Sequence, residues 1–414
     1  MTLRRRHFLV GASLSAATIA ASRRAIAQDQ GPIKIGLVHP LSGSVSALAN
    51  AVLLGEQIAA DEINKSGGIL GRPIQLLVRD DQLKTDLAIA ICREFASQGC
   101  RIFLGPILTS QVLAVMPLLS ELNALMTSSA TGDQLTHKFY VPNYFRVGAN
   151  NYMRMRTTAK LMAQRYPDVT SWGGLVADNA GLQEGWEAFS DGLREFYPSI
   201  AKKDVLIDDP IILKLNATEF HNEIGAMLSR SATGYYLGYV LAPLATFFQQ
   251  ASGMGLGSKV RVYTENGFEL ELGRTFKKNT PKEIWSPSFW YPDAQKGNSI
   301  SAALYSECLR RTGEKLPSAF VGLGSAFVTV FAAGIEKARS TDTAMVRNAL
   351  EGVAVQTCMG LEYIRKEDHQ GIGDFTILRM GPADNDAGFA VTDAVNVSGQ
   401  QVADAPTPGV SSKF

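Results

Sequence analysis

Cysteine is scarce in this chain of 414 residues, with four in all, and no two stand at CxxC spacing. That is too few for a scaffold built on disulfides, and it offers no thiolate metal site. The five histidines, at positions 7, 39, 137, 221 and 369, never fall into HxH or HExxH spacing. The chain therefore predicts no zinc-type ligand set. A GxSxG elbow and a Walker A loop are both missing, which removes the usual signatures of serine hydrolysis and nucleotide hydrolysis. Charged residues make up only 19%, with a net charge of +1. Five arginines and no acid fall in the first 27 residues, so the remainder carries 35 basic residues against 39 acidic ones, a net charge of −4. A chain of that sign has no electrostatic hold on nucleic acid. Beyond the N-terminus no run reads as long and apolar enough to span a bilayer. The expectation is no enzyme, no cofactor and no metal. What is present, 46% hydrophobic residues with 38 glycines and 17 prolines, suits a folded globular protein of two or three units.

The N-terminus reads Arg4-Arg5-Arg6-His7-Phe8-Leu9-Val10, followed by a weakly apolar stretch to Ala21 and by Ala25-Ile26-Ala27. This is the pattern of a signal peptide cleaved after Ala27, and Arg5-Arg6-x-Phe-Leu resembles the twin-arginine export signal. The mature chain is then expected outside the bacterial cytoplasm, in the periplasm. Exported thiols often pair, and all three pairings of Cys92, Cys100, Cys308 and Cys358 stay open on sequence alone.

From Pro32 onward short apolar runs alternate with longer amphipathic ones. Ile33, Ile35 and Leu37 recur in period two, whereas Val52, Gly55, Ala59 and Ile63 recur at helical spacing up to the stop Asn64-Lys65-Ser66-Gly67-Gly68. Strands are predicted at 74–78, 102–104 and 124–127, and after a pause at 144–148 again near 172–176, 205–207, 235–238 and 260–263. Strands separated by helices indicate parallel α/β sheets, here two units in series. An aromatic, proline-marked stretch at 286–292 precedes a long helix over 319–338. Residues 361–380 return to strand-like runs around a polar turn at 366–373, and the tail from Gly399 is expected to fray.

Ile33-Lys34-Ile35-Gly36 and Pro40-Leu41-Ser42-Gly43 resemble the first strand and ligand loop of the type I periplasmic binding proteins, in the leucine/isoleucine/valine-binding branch of ABC importers. The resemblance continues through Asp61-Glu62-Ile63-Asn64, Gly67-Gly68-Ile69-Leu70-Gly71-Arg72, Asp80-Asp81, Gly105-Pro106 and Ser128-Ser129-Ala130-Thr131 to the Glu362 to Gln370 region. It implies two Rossmann-like α/β lobes with parallel sheets, joined by three crossovers near Arg146-Val147, Phe289 to Pro292 and Thr357 to Gly360. Lobe 1 would be 28–147 with 292–357, and lobe 2 would be 148–291 with 358–414. It also implies a small-molecule ligand in the cleft, an ABC permease in the inner membrane as partner, and a monomer.

Ligands of open α/β sheets bind at the carboxyl ends of the strands. There Thr109-Ser110 and Ser129-Ala130-Thr131 place hydroxyls at helix starts, where N–H groups and the helix dipole suit a carboxylate. Helix capping alone is the plainer reading of those residues; the resemblance implies that they hold a ligand's carboxylate. The same resemblance puts a carboxylate for the ligand's ammonium group at what is Asn266 here, beside Glu265, and tyrosines at what are Leu48 and Leu182. A pocket that departs in this way should prefer an aromatic or branched aliphatic acid over a zwitterionic amino acid. Tyr239 is expected in the cleft, Trp186 between helix and sheet, and Trp285, Phe289, Trp290 and Tyr291 around a hinge strand. Gly253-Met254-Gly255-Leu256-Gly257 follows a helix, so it reads as a C-cap and not as a dinucleotide loop. Glu367-Asp368-His369-Gln370 reads as a surface turn. The rival functions are a ligand sensor feeding a membrane receptor, or an amino-acid or amide binder of the same family.

Overall fold

The computed structural model describes residues 31–267 and 269–411; the predicted signal peptide lies outside the described residues. The chain opens with β1 (Ile33–His39), α1 (Ser46–Lys65), β2 (Ile74–Asp80), α2 (Thr85–Ser97), β3 (Ile102–Leu104), α3 (Thr109–Val115) and β4 (Leu125–Thr127). The four strands form a parallel sheet in the order β2-β1-β3-β4. The second run is α4 (Asn151–Arg165), β5 (Ser171–Ala177), α5 (Ala180–Phe196), β6 (Leu206–Ile207), β7 (Ile211–Leu213), α6 (His221–Ser229), β8 (Gly234–Gly238), α7 (Leu241–Gly253), α8 (Leu256–Lys259), β9 (Val262–Glu265), α9 (Glu269–Phe276) and β10 (Ile284–Ser288). These strands build the second sheet, with β6 and β7 both pairing β5.

After β10 the chain returns to the first sheet through α10 (Ser299–Thr312), α11 (Ala319–Ala338) and α12 (Thr343–Leu350). The contact of α1 with α11 depends on two glycines. A Cβ on Gly55 would lie 1.9 Å from the Val321 carbonyl oxygen, and one on Gly324 would lie 2.1 Å from that of Val52, so the backbones touch where a side chain would hold them apart. This settles the reading of α11. By length and composition it could cross a membrane, contrary to the expectation from the sequence, but 83% of its most apolar stretch is buried inside the protein. It is a core helix.

Residues 354–373 then form a separate antiparallel sheet of β11 (Ala354–Thr357), β12 (Gly360–Ile364) and β13 (Gly371–Gly373). Only at Phe375 does the chain rejoin the second sheet, as β14 (Phe375–Pro382) and β15 (Phe389–Val397), both antiparallel to their neighbours. Three passages therefore link the two sheets. The first is packed by the segment expected to be a surface turn. His369 is buried, its ring stacks on Phe145 at 4.1 Å, and its carbonyl accepts from the Arg146 N–H at 3.0 Å. Asp368 and Gln370 are buried as well. Polar composition misled here because Arg365 satisfies Asp368 at 2.8 Å and Gln370 donates to the Gly148 carbonyl at 3.0 Å.

Residues 399–411 of the tail do not fray as expected. They form α13 (Gly399–Val402) and then lie against residue 137, where Asp404 meets His137 Nε2 at 2.7 Å and the Gly409 N–H donates to the His137 carbonyl at 2.8 Å. Polar anchors hold them, and these leave no hydrophobic period to read. The four cysteines are buried free thiols. Burial pushes Cys92 up to about 12 and Cys100 up to about 11.

Candidate functional site

The carboxyl ends of β1, β3 and β4 face those of β5, β8 and β9 across a narrow cavity of about 60 Å³. From the first sheet its wall takes Val45, Leu48, Ile107, Thr109, Ser129, Ala130 and Thr131, with Phe320 from the start of α11. From the second it takes Arg154, Asn179, Gly181, Leu182, Val240 and Asn266. Seven positions singled out in the sequence thus meet in one place: Leu48, Thr109, Ser129, Ala130, Thr131, Leu182 and Asn266.

Two do not. Ser110 follows Thr109 on α3 but is exposed and outside the lining. Tyr239, expected in the cleft, turns away: its hydroxyl donates to the Lys214 carbonyl and its ring packs edge-on against Phe220 at 5.8 Å. It stands just past the end of β8, where the strand's alternation no longer fixes its direction.

Ser129 is 8% exposed, and its buried Oγ has no hydrogen-bond partner. Such a hydroxyl costs free energy unless something accepts or donates to it. Asn179 caps α5, accepting from the Gly181 N–H at 3.1 Å. Asn266 Oδ1 accepts from the Tyr236 hydroxyl at 3.3 Å. Glu265 is fully buried behind this wall and accepts from the Gly267 N–H at 2.8 Å, so the side chain in the lining is the amide and not the acid.

Arg154 was not singled out in the sequence. It is 1% exposed, donates to the carbonyls of Asn266 at 3.0 Å and Pro287 at 2.9 Å, and lies 4.5 Å from the centre of the Phe289 ring. A signal existed: on α4 it falls in line with Asn151, Thr158 and Leu161, a buried stripe, whereas Arg156 reaches outward to Glu195. A guanidinium fixed by backbone carbonyls at the edge of an apolar cavity is suited to receiving an anion. Among the described residues, no aspartate or glutamate side chain lines the cavity. Among the described residues no group of three or more His, Cys, Asp or Glu is placed to hold a metal.

Trp186 packs against Gly174 on β5, as expected, and Trp285, Phe289 and Trp290 are buried along the second passage. The walls touch tightly beside the cavity. Thr109 Oγ1 lies 2.4 Å from where a Cβ of Gly181 would be, so α3 and the start of α5 meet through the absence of that side chain.

The family model described as periplasmic binding protein matches residues 32–387. The leucine-, isoleucine-, valine-, threonine- and alanine-binding protein of Pseudomonas aeruginosa is 24% identical over 371 residues, covering 83% of this chain and 89% of that protein. Among solved structures, the closed form of the protein of the same description from Brucella ovis superposes with a TM-score of 0.77 at 18% identity, covering 93% of this chain and 100% of that one. A solute-binding protein of an ABC transporter from Rhodopseudomonas palustris, in complex with benzoate, gives 0.74 at 16% identity, covering 89% and 98%. Proteins of this family bind small molecules and work with ABC permeases. On the match over most of its length, this chain belongs to the periplasmic binding proteins, in the leucine/isoleucine/valine-binding branch of type I.

Proposed function

We propose that the chain is the solute receptor of an ABC importer and that its solute is a small carboxylic acid with an aromatic or branched aliphatic body. The observation that carries this reading is the pairing, in one cavity, of the Arg154 guanidinium and the unpartnered Ser129 hydroxyl with largely apolar walls and no carboxylate among the described lining residues. An acid would place its carboxylate between these groups and its body against Leu48, Leu182 and Phe320. Thr109 and Thr131 add hydroxyls, and Asn266 offers an amide where an ammonium ion would need an acid. The benzoate complex of the Rhodopseudomonas protein is in keeping with this, although that likeness by itself concerns the fold.

The cavity is far smaller than the ~300 Å³ and more usual for a ligand site, so solute entry would require the walls to part and close again. The lobes that move would be 28–147 with 292–357 and 148–291 with 358–414, in a periplasmic monomer cleaved after Ala27. A thermal-shift screen of residues 28–414 tests the solute class, because a ligand that binds only the folded state raises the melting temperature. Benzoate and branched aliphatic acids should raise it, with the shift lost in Arg154→Met. A shift with leucine and not with the acids would support the amino-acid reading that the Pseudomonas relative favours. Neighbouring permease and ATPase genes would favour import over the sensor alternative.

A further inference from the structure

Beside the cavity, where α5 meets the segment after β4, two carboxyl groups share one buried seam. Asp133 is fully buried and Glu184, one turn beyond Gly181 and Leu182, is 7% exposed. One oxygen of each is satisfied: Asp133 Oδ1 accepts from the Tyr152 N–H at 3.0 Å, and Glu184 Oε1 accepts from the Gln134 N–H at 3.1 Å. The other oxygens, Asp133 Oδ2 and Glu184 Oε2, are buried with no hydrogen-bond partner. Gly132 leaves room for this arrangement, since a Cβ there would stand 3.0 Å from Glu184 Oε2 and 2.7 Å from Thr109 Cγ2.

Among the described residues the charges facing the pair are few. Arg146 is the cation, and its two terminal nitrogens are directed at the carbonyls of Ala130 and Gly132. Asp404 adds a negative charge from the tail, itself held by His137 at 2.7 Å and by Arg365 at 3.5 Å. Glu187 lies one turn further along α5, and with Gln134, Lys138, Gln183 and Ser411 it borders the solvent side of the seam. Burial pushes the Glu184 carboxyl up to about 7. Burial, with the charges of Glu184 and Asp404, holds Asp133 well above the usual carboxylate range.

We propose that closing the cleft takes up one proton from solvent onto the Asp133 and Glu184 pair, so that solute capture tightens as the pH falls. The proposal rests on reading the cavity as a solute site that opens and closes. An opening that carries α5 away from the segment after β4 separates Thr109 and Thr131 from Gly181 and Leu182 and residues 132–134 from Glu184 together, because that side chain rides on the same helical turns. Water then reaches Glu184, and its affinity for protons returns toward the ordinary value near 4.3. On closing, two dry carboxylates would oppose a single guanidinium, a costly arrangement. One proton removes a charge and converts an orphaned acceptor into a donor. It is released when the cleft opens.

Calorimetric titration with benzoate and with leucine as probes, from about pH 5 to about pH 9, reads the coupling directly. The affinity of whichever probe binds should fall about tenfold per pH unit between about pH 5 and 7, then level off, with close to one proton taken up per probe bound in that window. In Glu184→Gln the affinity should be flat and should keep at high pH the strength that wild type has only at low pH. A measurement on the free protein separates this from the solute reading. Because closing takes up the proton, the compact closed form of the ligand-free protein should gain population in small-angle scattering as pH falls from about 7 to about 5, and Glu184→Gln should lose that dependence. If neither probe binds but the variant loses that pH dependence of closing, the proposed solute class fails and the proton pair stands. Asp133→Asn serves as the second variant if Glu184→Gln does not fold. Wild type and a folded variant with the same pH dependence in every measurement that gives a signal would overturn the proposal.

Discussion

Gly181→Ala separates closure from folding. Gly181 is the second residue of α5 and lies opposite Thr109 across the cleft. The new Cβ would stand 2.4 Å from Thr109 Oγ1 and 3.2 Å from Thr109 Cβ, and real Cβ atoms essentially never approach a heavy atom within 3.0 Å. Within the helix the change is neutral or favourable, by up to ~1 kcal/mol, because alanine is the better helix former. Across the cleft it is overpacking, which costs ~1–3 kcal/mol and applies only when the walls meet. The variant should therefore unfold in urea at or above the wild-type midpoint while binding its solute about 5- to 150-fold more weakly in calorimetry. In a Thr109→Ala background the closest atom is gone and only the contact at 3.2 Å remains, so the added loss should shrink to within about threefold. Wild-type affinity in Gly181→Ala, or an undiminished loss in the Thr109→Ala background, would refute the geometry of closure described here.

Two further substitutions address the cavity and the passage beneath it. Arg154→Met removes the donor to the Asn266 and Pro287 carbonyls and the cation over Phe289, so urea stability should drop by ~2–5 kcal/mol and acid binding should disappear; a variant that still binds benzoate fully would remove Arg154 from the site. Glu362 is fully buried, accepts from the Gly148 N–H at 2.8 Å, and is pushed by burial up to about 8. Its folded value exceeds the unfolded one, so stability is fully present at low pH and should fall by up to ~1.4 kcal/mol per pH unit between about 4.3 and 8; Glu362→Gln should flatten that slope in urea titrations across pH.

The sequence was legible where one physical constraint acts at a time. Ile33, Ile35 and Leu37 read as a strand because period two follows from the pleat, and the alternation of strands and helices then requires parallel sheets. The hydroxyls at 129 and 131 could be placed on the cavity wall because the carboxyl end of a parallel strand is where a cleft must lie. Arg154 was missed because an arginine in a helix is ordinarily solvated. Only its partners, two carbonyls from β10 and the loop after β9, explain why it can be buried, and both are distant in sequence. His369 and the tail were missed for the related reason that long-range polar pairs, unlike apolar stripes, leave no period in the chain.

The solute's charge can be argued from where the acids near the cleft are employed. Glu265 is turned to the Gly267 N–H, Glu184 to the Gln134 N–H and Asp133 to the Tyr152 N–H, and none of the three lines the cavity. An ammonium group entering there would meet the Arg154 guanidinium in a wall whose described residues include no carboxylate, and a buried cation so placed is strongly disfavoured. Asn266 is the position at which one substitution reverses this balance. Its Oδ1 already accepts from the Tyr236 hydroxyl at 3.3 Å, and its own carbonyl already accepts from Arg154, so an aspartate fits the same space with the same partners. Asn266→Asp should weaken benzoate by at least about tenfold, by offsetting the guanidinium, and should strengthen leucine relative to benzoate by a similar factor. Competition between the two probes, measured by thermal shift near neutral pH, reads the change. An unaltered ranking would mean that Arg154 and Asn266 do not face the solute, and the preference for acids would have to be abandoned.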